Sequence, residues 1–112
     1  SPTTSKKRMK RIISDSHDMI YYISMLGTTG SKLKVSPKEI LINYNKVKKI
    51  NKSKNCVIGF GITNKSISSF KNVDGVVVGS EICKEITNSI EKRQNPVTNV
   101  SNMVKRLKNK II

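Results

Sequence analysis

Three short apolar runs, each followed by a glycine turn, restrict what this chain can fold into. The runs lie at residues 19–24, 56–58 and 76–78, and the turns lie at residues 27–30, 59–61 and 79–80. Segments with apolar residues at helical spacing separate one run from the next. This alternation is typical of parallel strands whose carboxyl ends all open at the same end of one sheet.

The helical segments carry recognisable start signals. Thr4 or Ser5 can cap a helix that ends near residue 16, and Ser36-Pro37 opens a second helix. A short helix is predicted around residues 67–70, capped by Thr63 or Asn64, and longer helices are predicted after Gly79-Ser80 and after Asn95-Pro96. We therefore expect a helix, three strand–helix units and a terminal helix, forming one partial α/β domain over residues 1–112 without an internal boundary.

Composition excludes several classes of protein. No apolar stretch approaches the ~20 residues of a membrane helix, and no signal-peptide pattern is present, so we expect a soluble intracellular protein without a membrane partner. Cys56 and Cys83 lie far apart, without the neighbouring His or Cys residues that a metal site needs. The sequence predicts two reduced, buried thiols and no metal site.

The net charge of +15 raises a second possibility, a small basic protein that binds nucleic acid. Only four of the 22 basic residues are arginine, however, and the clusters lie on the polar faces of predicted helices. A charge run of this kind usually faces water, so we favour a solvated surface over a nucleic-acid-binding one.

Phosphate is the ligand that the glycine turns indicate. Gly79-Ser80 lies between a Val-rich strand and a helix, where free backbone N–H groups and the helix dipole can bind a phosphate monoester. Gly59 and Gly61 follow the previous strand and can supply further N–H groups from the neighbouring loop. Two such turns in adjacent units predict a phosphate site better than either turn alone.

The sequence offers little for catalysis. His17 lies alone between acidic residues near a helix end and is typical of a surface residue. No acidic residue stands at the carboxyl end of a predicted strand, and no Ser or Thr has a His or Lys partner at a recognisable spacing. Tyr21 and Tyr22 are adjacent on a strand, so one is expected under the helices and the other on the opposite face.

Two segments resemble a known family. Residues 21–30 read Tyr-Tyr-x-Ser-x-x-Gly-x-Thr-Gly, and residues 74–80 read Asp-Gly-Val-Val-Val-Gly-Ser. Together with Ser1-Pro2-Thr3-Thr4 and Gly59-Phe60-Gly61-Ile62, in this order, they resemble the second half of the tryptophan synthase alpha chain over essentially all 112 residues.

The resemblance implies a fold and a set of binding residues. The chain would form about strands six to eight of a (β/α)8 TIM barrel. The long loop at residues 25–36 would contain the family's mobile loop, which the sequence matches from Gly27 onward. Tyr21 would face the substrate, and Thr29 would orient a catalytic carboxylate when the loop closes. The residues that would contact or border the phosphate are Gly30, Gly59, Phe60, Gly61, Gly79 and Ser80.

The resemblance also implies an activity. The complete protein would cleave indole-3-glycerol phosphate to indole and glyceraldehyde 3-phosphate, with catalytic carboxylates upstream of Ser1 and none in this chain. It would join a beta chain in an alpha2-beta2 heterotetramer, in bacterial cytoplasm or plastid stroma. The beta chain would carry pyridoxal phosphate, and this chain would carry no cofactor. Glu81 stands where the family usually has a small apolar residue.

Overall fold

A three-stranded sheet with helices on one side forms the centre of the fold. The structure is a computed structural model that describes residues 1–23, 36–59 and 61–112. Its elements in chain order are α1 (Lys6–Asp15), β1 (Met19–Ile23), α2 (Pro37–Ile50), β2 (Asn55–Gly59), a 3₁₀ turn (Ile67–Phe70), β3 (Gly75–Val77), α3 (Ser80–Glu91) and α4 (Pro96–Asn109).

All strand pairing in the sheet is parallel, as the sequence predicts. The strand order is β1-β2-β3, with β2 between its two neighbours. Met19 pairs with Asn55 and Ile23 with Gly59, while Gly59 also pairs with Val77. The strands differ from the predicted runs by about one residue at their ends. Parallel order with helical connections confirms the partial-barrel prediction, and the single-domain boundary stays a prediction.

One face of the sheet forms the core. Tyr22, Cys56 and Ile58 point to this face and are at most 2% exposed. The apolar stripe of α2 covers them with Ile40, Tyr44 and Val47, each at most 6% exposed. These α2 residues follow the 3.6-residue period that the sequence shows, so their burial is a direct consequence of the pattern.

The opposite face of the sheet is apolar but exposed. Met19 is 58% exposed, Tyr21 is 43% exposed and Val77 is 41% exposed. Both faces of a strand carry apolar side chains only where both are covered in the complete fold. A closed barrel of more strands would place this second face in its interior. The two tyrosines thus separate as predicted, with Tyr22 beneath the helices and Tyr21 on the free face.

Local hydrogen bonds confirm the helix starts. The Ser5 hydroxyl accepts the Arg8 N–H at 3.3 Å, and the Ser36 hydroxyl accepts the Glu39 N–H at 3.3 Å. Thr63 also bonds as a predicted cap does. Its hydroxyl accepts the Ser66 N–H at 3.2 Å and its carbonyl accepts the Ile67 N–H at 3.0 Å. The short helix that follows is a 3₁₀ turn at Ile67–Phe70.

The prediction of two buried thiols is wrong for one of them. Cys56 is fully buried on β2, whereas Cys83 is exposed on α3. The physical reason is that α3 packs mainly against α4, so much of its remaining surface faces outward. Ile90 on the same helix is 63% exposed although it belongs to the predicted apolar face. An apolar period marks the side of a helix that can be buried, but the neighbouring elements decide whether it is.

Two buried tyrosines give a matched test of this core. The Tyr22 hydroxyl lies near the Asn43 side chain but makes no hydrogen bond of ordinary geometry within the described residues, whereas the Tyr44 hydroxyl accepts the Asp74 N–H at 3.1 Å. Tyr44→Phe should therefore cost about 1–2 kcal/mol of unfolding free energy, because it leaves a polar N–H without its partner. Tyr22→Phe should cost nothing or stabilise slightly.

Urea unfolding measures both changes, with the chain joined to the strands that would complete its barrel so that the parent protein is folded. An equal loss of stability in the two variants would contradict the hydrogen-bond assignment.

Candidate functional site

The loops after β2 and β3 leave the same end of the sheet. Gly59, the last residue of β2, pairs with Val77, the last residue of β3. Neighbouring strands lie about 4.8 Å apart, so the two connections start side by side. The two glycine turns that the sequence predicts to bind a ligand therefore begin at the same end of the sheet, which we call its carboxyl end.

Gly61 occupies a conformation that requires glycine. Its φ is 73°, in the left-handed region where a side chain would strain the backbone. This backbone conformation, two residues after the end of β2, is favourable only because the residue has no Cβ. Gly61 itself is exposed, so its backbone is accessible near the carboxyl end of the sheet.

The N-terminus of α3 lacks the cap that the other helices have. In α1, α2 and α4, within the described ranges, a Ser or Asn side chain accepts a first-turn N–H. Gly79 takes the cap position of α3, and no side chain bonds the N–H groups there. The first intrahelical bond at this start runs from the Cys83 N–H to the Gly79 carbonyl at 3.1 Å. Earlier N–H groups of the helix remain available to a ligand.

Space is also available in front of this helix. A Cβ added to Gly79 would meet no atom of the described residues within 4 Å. The backbone φ of Gly79 is −115°, which other residues can adopt. Among the described residues, neither steric contact nor backbone strain requires glycine at this position. The open space is compatible with the predicted close approach of a ligand to the backbone, which stays a prediction.

Charge at the α3 start is mixed. The helix dipole and the uncapped N–H groups favour an anion, but Glu81 in the first turn carries a negative charge. Lys84 lies 3.6 Å from the Glu81 carboxylate and offsets part of that charge, although the lysine side chain is 76% exposed. An anion at the α3 start would therefore be attracted less strongly than it would be with an apolar residue at position 81.

Tyr21 reaches from β1 across the free face of the sheet to Gly59. A Cβ on Gly59 would lie 2.7 Å from Cε2 of the tyrosine ring, so only glycine allows this packing. The pairing partner of Tyr21 is Val57, and the ring therefore leans two residues along β2 toward the carboxyl end. The structure brings Tyr21 and Gly59 together, as expected for two residues of one site.

Several predicted site residues lie outside the described ranges. They are Thr29, Gly30 and Phe60, together with residues 25–35 of the predicted mobile loop. Their assignments stay predictions. The structure describes the other five predicted site residues. Gly59 ends β2, Gly61 follows it, Gly79 and Ser80 lie at the start of α3, and Tyr21 lies on the free face of the sheet.

A second polar cluster lies at the amino end of the sheet, centred on Asp74. Its carboxylate accepts the Lys48 ammonium at 2.8 Å and the Cys56 N–H at 2.8 Å. Lys48 also donates to the carbonyls of Lys52 at 3.1 Å and Lys54 at 2.9 Å. With the bond from the Asp74 N–H to Tyr44, this cluster joins α2, β2 and the residue that precedes β3.

The charges in this cluster stabilise each other. Burial alone would raise the pKa of Asp74, but the hydrogen bonds from Lys48 and the Cys56 N–H together lower it below its ordinary value. The hydrogen bond with Asp74 raises the pKa of Lys48. Burial raises the pKa of the Cys56 thiol to about 11, so this cysteine stays a neutral thiol.

Sequence reasoning identified Asp74 only as the first residue of the segment 74–80 that resembles the family, and missed its partners. The available signal was the pair Tyr44 and Lys48, which are one helical turn apart and therefore on one side of α2. Lys48 and Asp74 are 26 residues apart in sequence, so nothing local connects them.

Other chemistry finds no support in the described ranges. There, no group of three His, Cys, Asp or Glu side chains could hold a metal ion. His17 is exposed, as predicted. Among the described helices, none is long and apolar enough to cross a membrane.

Comparison with known proteins agrees with the resemblance that the sequence shows. The family model described as tryptophan synthase alpha chain matches residues 1–112. The tryptophan synthase alpha chain of Pelagibacter ubique (strain HTCC1062) is 70% identical over 111 residues, which are 99% of this chain and 42% of that protein. The protein of the same name from Aquifex aeolicus (strain VF5) is 34% identical, over 96% of this chain and 39% of the relative.

A solved structure gives the same result for the fold. The crystal structure of the tryptophan synthase alpha chain from Legionella pneumophila subsp. pneumophila superposes with a TM-score of 0.76 at 28% identity. The match covers 98% of this chain and 39% of that one. The chain thus spans about two fifths of the length of these relatives, and the matches give no support to a nucleic-acid-binding protein. With sequence and fold in agreement over nearly all of its length, this chain belongs to the tryptophan synthase alpha chain family.

Proposed function

We propose that this chain supplies the phosphate-binding part of a lyase that cleaves indole-3-glycerol phosphate to indole and glyceraldehyde 3-phosphate in tryptophan biosynthesis. One observation carries the proposal above all others. Because β2 and β3 are parallel, the Gly61 turn and the uncapped α3 helix both begin at the same end of the sheet. The chain that shows this geometry is a member of this family.

The substrate phosphate would bind at the α3 start. Backbone N–H groups of Gly79, Ser80 and Gly61 would donate to its oxygens, and the positive end of the α3 dipole would favour its charge. The Ser80 hydroxyl can add one more donor. Phe60 and Gly30 would border this site. A phosphate held by backbone groups fixes one end of the substrate and leaves the other end free for chemistry.

The indole end of the substrate would lie over the free face of the sheet. Tyr21 is the aromatic side chain exposed on that face, and its ring already leans toward the carboxyl end, where the phosphate would bind. Thr29, on the loop that would close over the site, would orient a catalytic carboxylate. Closing such a loop excludes water and completes the site.

The groups that break the carbon–carbon bond are proposed to lie outside this chain. The chain matches only 42% of its Pelagibacter relative, and the two carboxylates that the family resemblance implies belong to the part that is not matched. Proton transfer by a positioned carboxylate contributes much of the rate in reactions of this type. The 112 residues alone should therefore show no turnover of the substrate.

We further propose that the complete protein pairs with a tryptophan synthase beta chain in an alpha2-beta2 heterotetramer. The beta chain would use pyridoxal phosphate to join indole to serine, and no cofactor would bind the present chain. The site of action would be the bacterial cytoplasm or the plastid stroma. Family membership supports these assignments, and the residues described here carry no independent sign of the partner.

A hybrid protein tests the proposed activity. The 112-residue chain replaces the matching segment of the Pelagibacter alpha chain, with which it is 70% identical. We expect this hybrid alpha chain to release indole from indole-3-glycerol phosphate, because the missing strands and carboxylates are restored. The chain expressed alone should release none, and should aggregate through its exposed sheet face.

Two results would contradict the proposal. The first is a folded hybrid alpha chain without indole release. The second is indole release by the 112-residue chain alone, which would place the catalytic groups within it. Retention of the folded hybrid on nucleic acid at physiological salt would instead support the basic-protein alternative.

Gly79→Val tests the phosphate assignment. A Cβ at this position meets no atom of the described residues within 4 Å, so the fold should lose only about 1–2 kcal/mol, the range for an unfavourable change at a helix cap. It would project into the space proposed for the phosphate, so we expect the affinity for glycerol 3-phosphate to fall about tenfold or more. Isothermal titration of the hybrid alpha chain measures the affinity, and thermal unfolding measures the stability.

Thr87→Val is the matched control, because Thr87 is exposed on α3 away from its N-terminus. It should leave the affinity for glycerol 3-phosphate unchanged. Equal affinities of Gly79→Val and the control would remove Gly79 from the binding site.

A further inference from the structure

Asp74 joins three elements at the amino end of the sheet. Its carboxylate bonds Lys48 of α2 and the backbone of Cys56 on β2, and its own N–H bonds Tyr44 of α2. The Lys48 and Asp74 side chains are only 21% and 27% exposed, so water screens this pair less than it would a surface pair. No other ion pair in the described ranges links residues so far apart in sequence.

The strand that follows Asp74 forms a short ladder. β3 pairs with β2 through only three residues, from Gly75 to Val77, while Val76 and Val78 pack against the core. So short a ladder fixes the register weakly, and apolar packing is not directional. The three hydrogen bonds of Asp74 are directional contacts that fix where β3 begins relative to β2 and α2.

The position of β3 also sets the position of the phosphate donors. Gly79 is five residues beyond Asp74, about 16 Å along an extended chain, and it begins α3. Gly61 follows β2 instead. A shift of β3 relative to β2 would therefore move the donors of Gly79 and Ser80 away from Gly61, and a shift of 1 Å is enough to lower catalytic efficiency substantially.

We propose that Asp74 is a positioning residue for the phosphate site: held by Lys48, Tyr44 and the Cys56 N–H, it fixes β3 so that the N–H groups of Gly79 and Ser80 meet the same phosphate as that of Gly61. This inference rests on the proposed function. Asp74 touches no substrate, and it acts at the opposite end of the strand from the site.

Steady-state kinetics of the hybrid alpha chain separate this role from mere stabilisation. In Asp74→Asn the amide oxygen can still accept the Cys56 N–H, but the charge that bonds Lys48 is gone. We expect KM for indole-3-glycerol phosphate to rise about threefold or more, with kcat nearly unchanged, because the phosphate contacts hold substrate and transition state alike. Affinity for glycerol 3-phosphate should fall by the same factor.

Variants of Lys48 and a matched control complete the design. Lys48→Met should reproduce the KM of Asp74→Asn, and the double variant should have the same KM as either single variant, because both remove the same charge pair. Lys48→Arg keeps the cation and should leave KM at the value of the unmutated hybrid alpha chain. Ile13→Val removes one methylene from a buried side chain on α1, and it should lower thermal stability without changing KM.

The outcomes distinguish this inference from the proposed function. If the unmutated hybrid alpha chain folds but releases no indole, the proposed function fails. If it releases indole and Asp74→Asn matches Ile13→Val in KM and in glycerol 3-phosphate affinity, Asp74 is a structural residue only and this inference is overturned. Additive effects in the double variant would also overturn it, since they would show that the two side chains act independently.

Discussion

Parallel pairing between β2 and β3 sends both strands to the same end of the sheet, and the function proposed for this chain depends on that pairing. The ladder is only three residues long, yet it sets the starting points of the Gly61 turn and of α3. Antiparallel pairing would place these two turns at opposite ends. The described residues of the candidate phosphate site are thus brought together by backbone geometry rather than by contacts between side chains.

The two ends of the sheet have different roles. At the amino end, Asp74, Lys48 and Tyr44 form hydrogen bonds that connect α2 to the strands. At the carboxyl end, α3 begins without a cap and Gly79 faces open space. This division follows the rule for (β/α)8 barrels, in which the carboxyl end binds and reacts while the amino end stabilises. The N-terminus of α3 has no capping side chain. A bound phosphate would accept the N–H hydrogen bonds that a capping side chain otherwise accepts.

Local sequence signals predicted much of the fold. Ser5 and Ser36 cap helices as expected, because a cap involves only the few residues that follow it. Alternation of apolar runs with helical segments predicted the parallel sheet, and the burial of Tyr22 but not Tyr21 followed from strand geometry. Gly59, Gly61, Gly79 and Ser80 were assigned to a phosphate site on the same kind of signal, since glycine at a strand end is visible in the sequence, and their role stays a prediction.

Other features depend on tertiary contacts and could not be predicted. The apolar period of α3 does not reveal that Cys83 and Ile90 stay exposed, because their burial requires a neighbouring element. The bond between Lys48 and Asp74 joins residues that are close only after α2 packs against the sheet. The lean of Tyr21 over Gly59 likewise needs both strands in register.

Amide NMR of the hybrid alpha chain, titrated with glycerol 3-phosphate, tests whether one phosphate binds both turns. We expect the backbone N–H signals of Gly61, Gly79 and Ser80 to shift together, with one common dissociation constant, because one phosphate bonds all three. Shifts confined to the basic residues of α1, or separate dissociation constants for Gly61 and Gly79, would contradict a single phosphate site at the carboxyl end of the sheet.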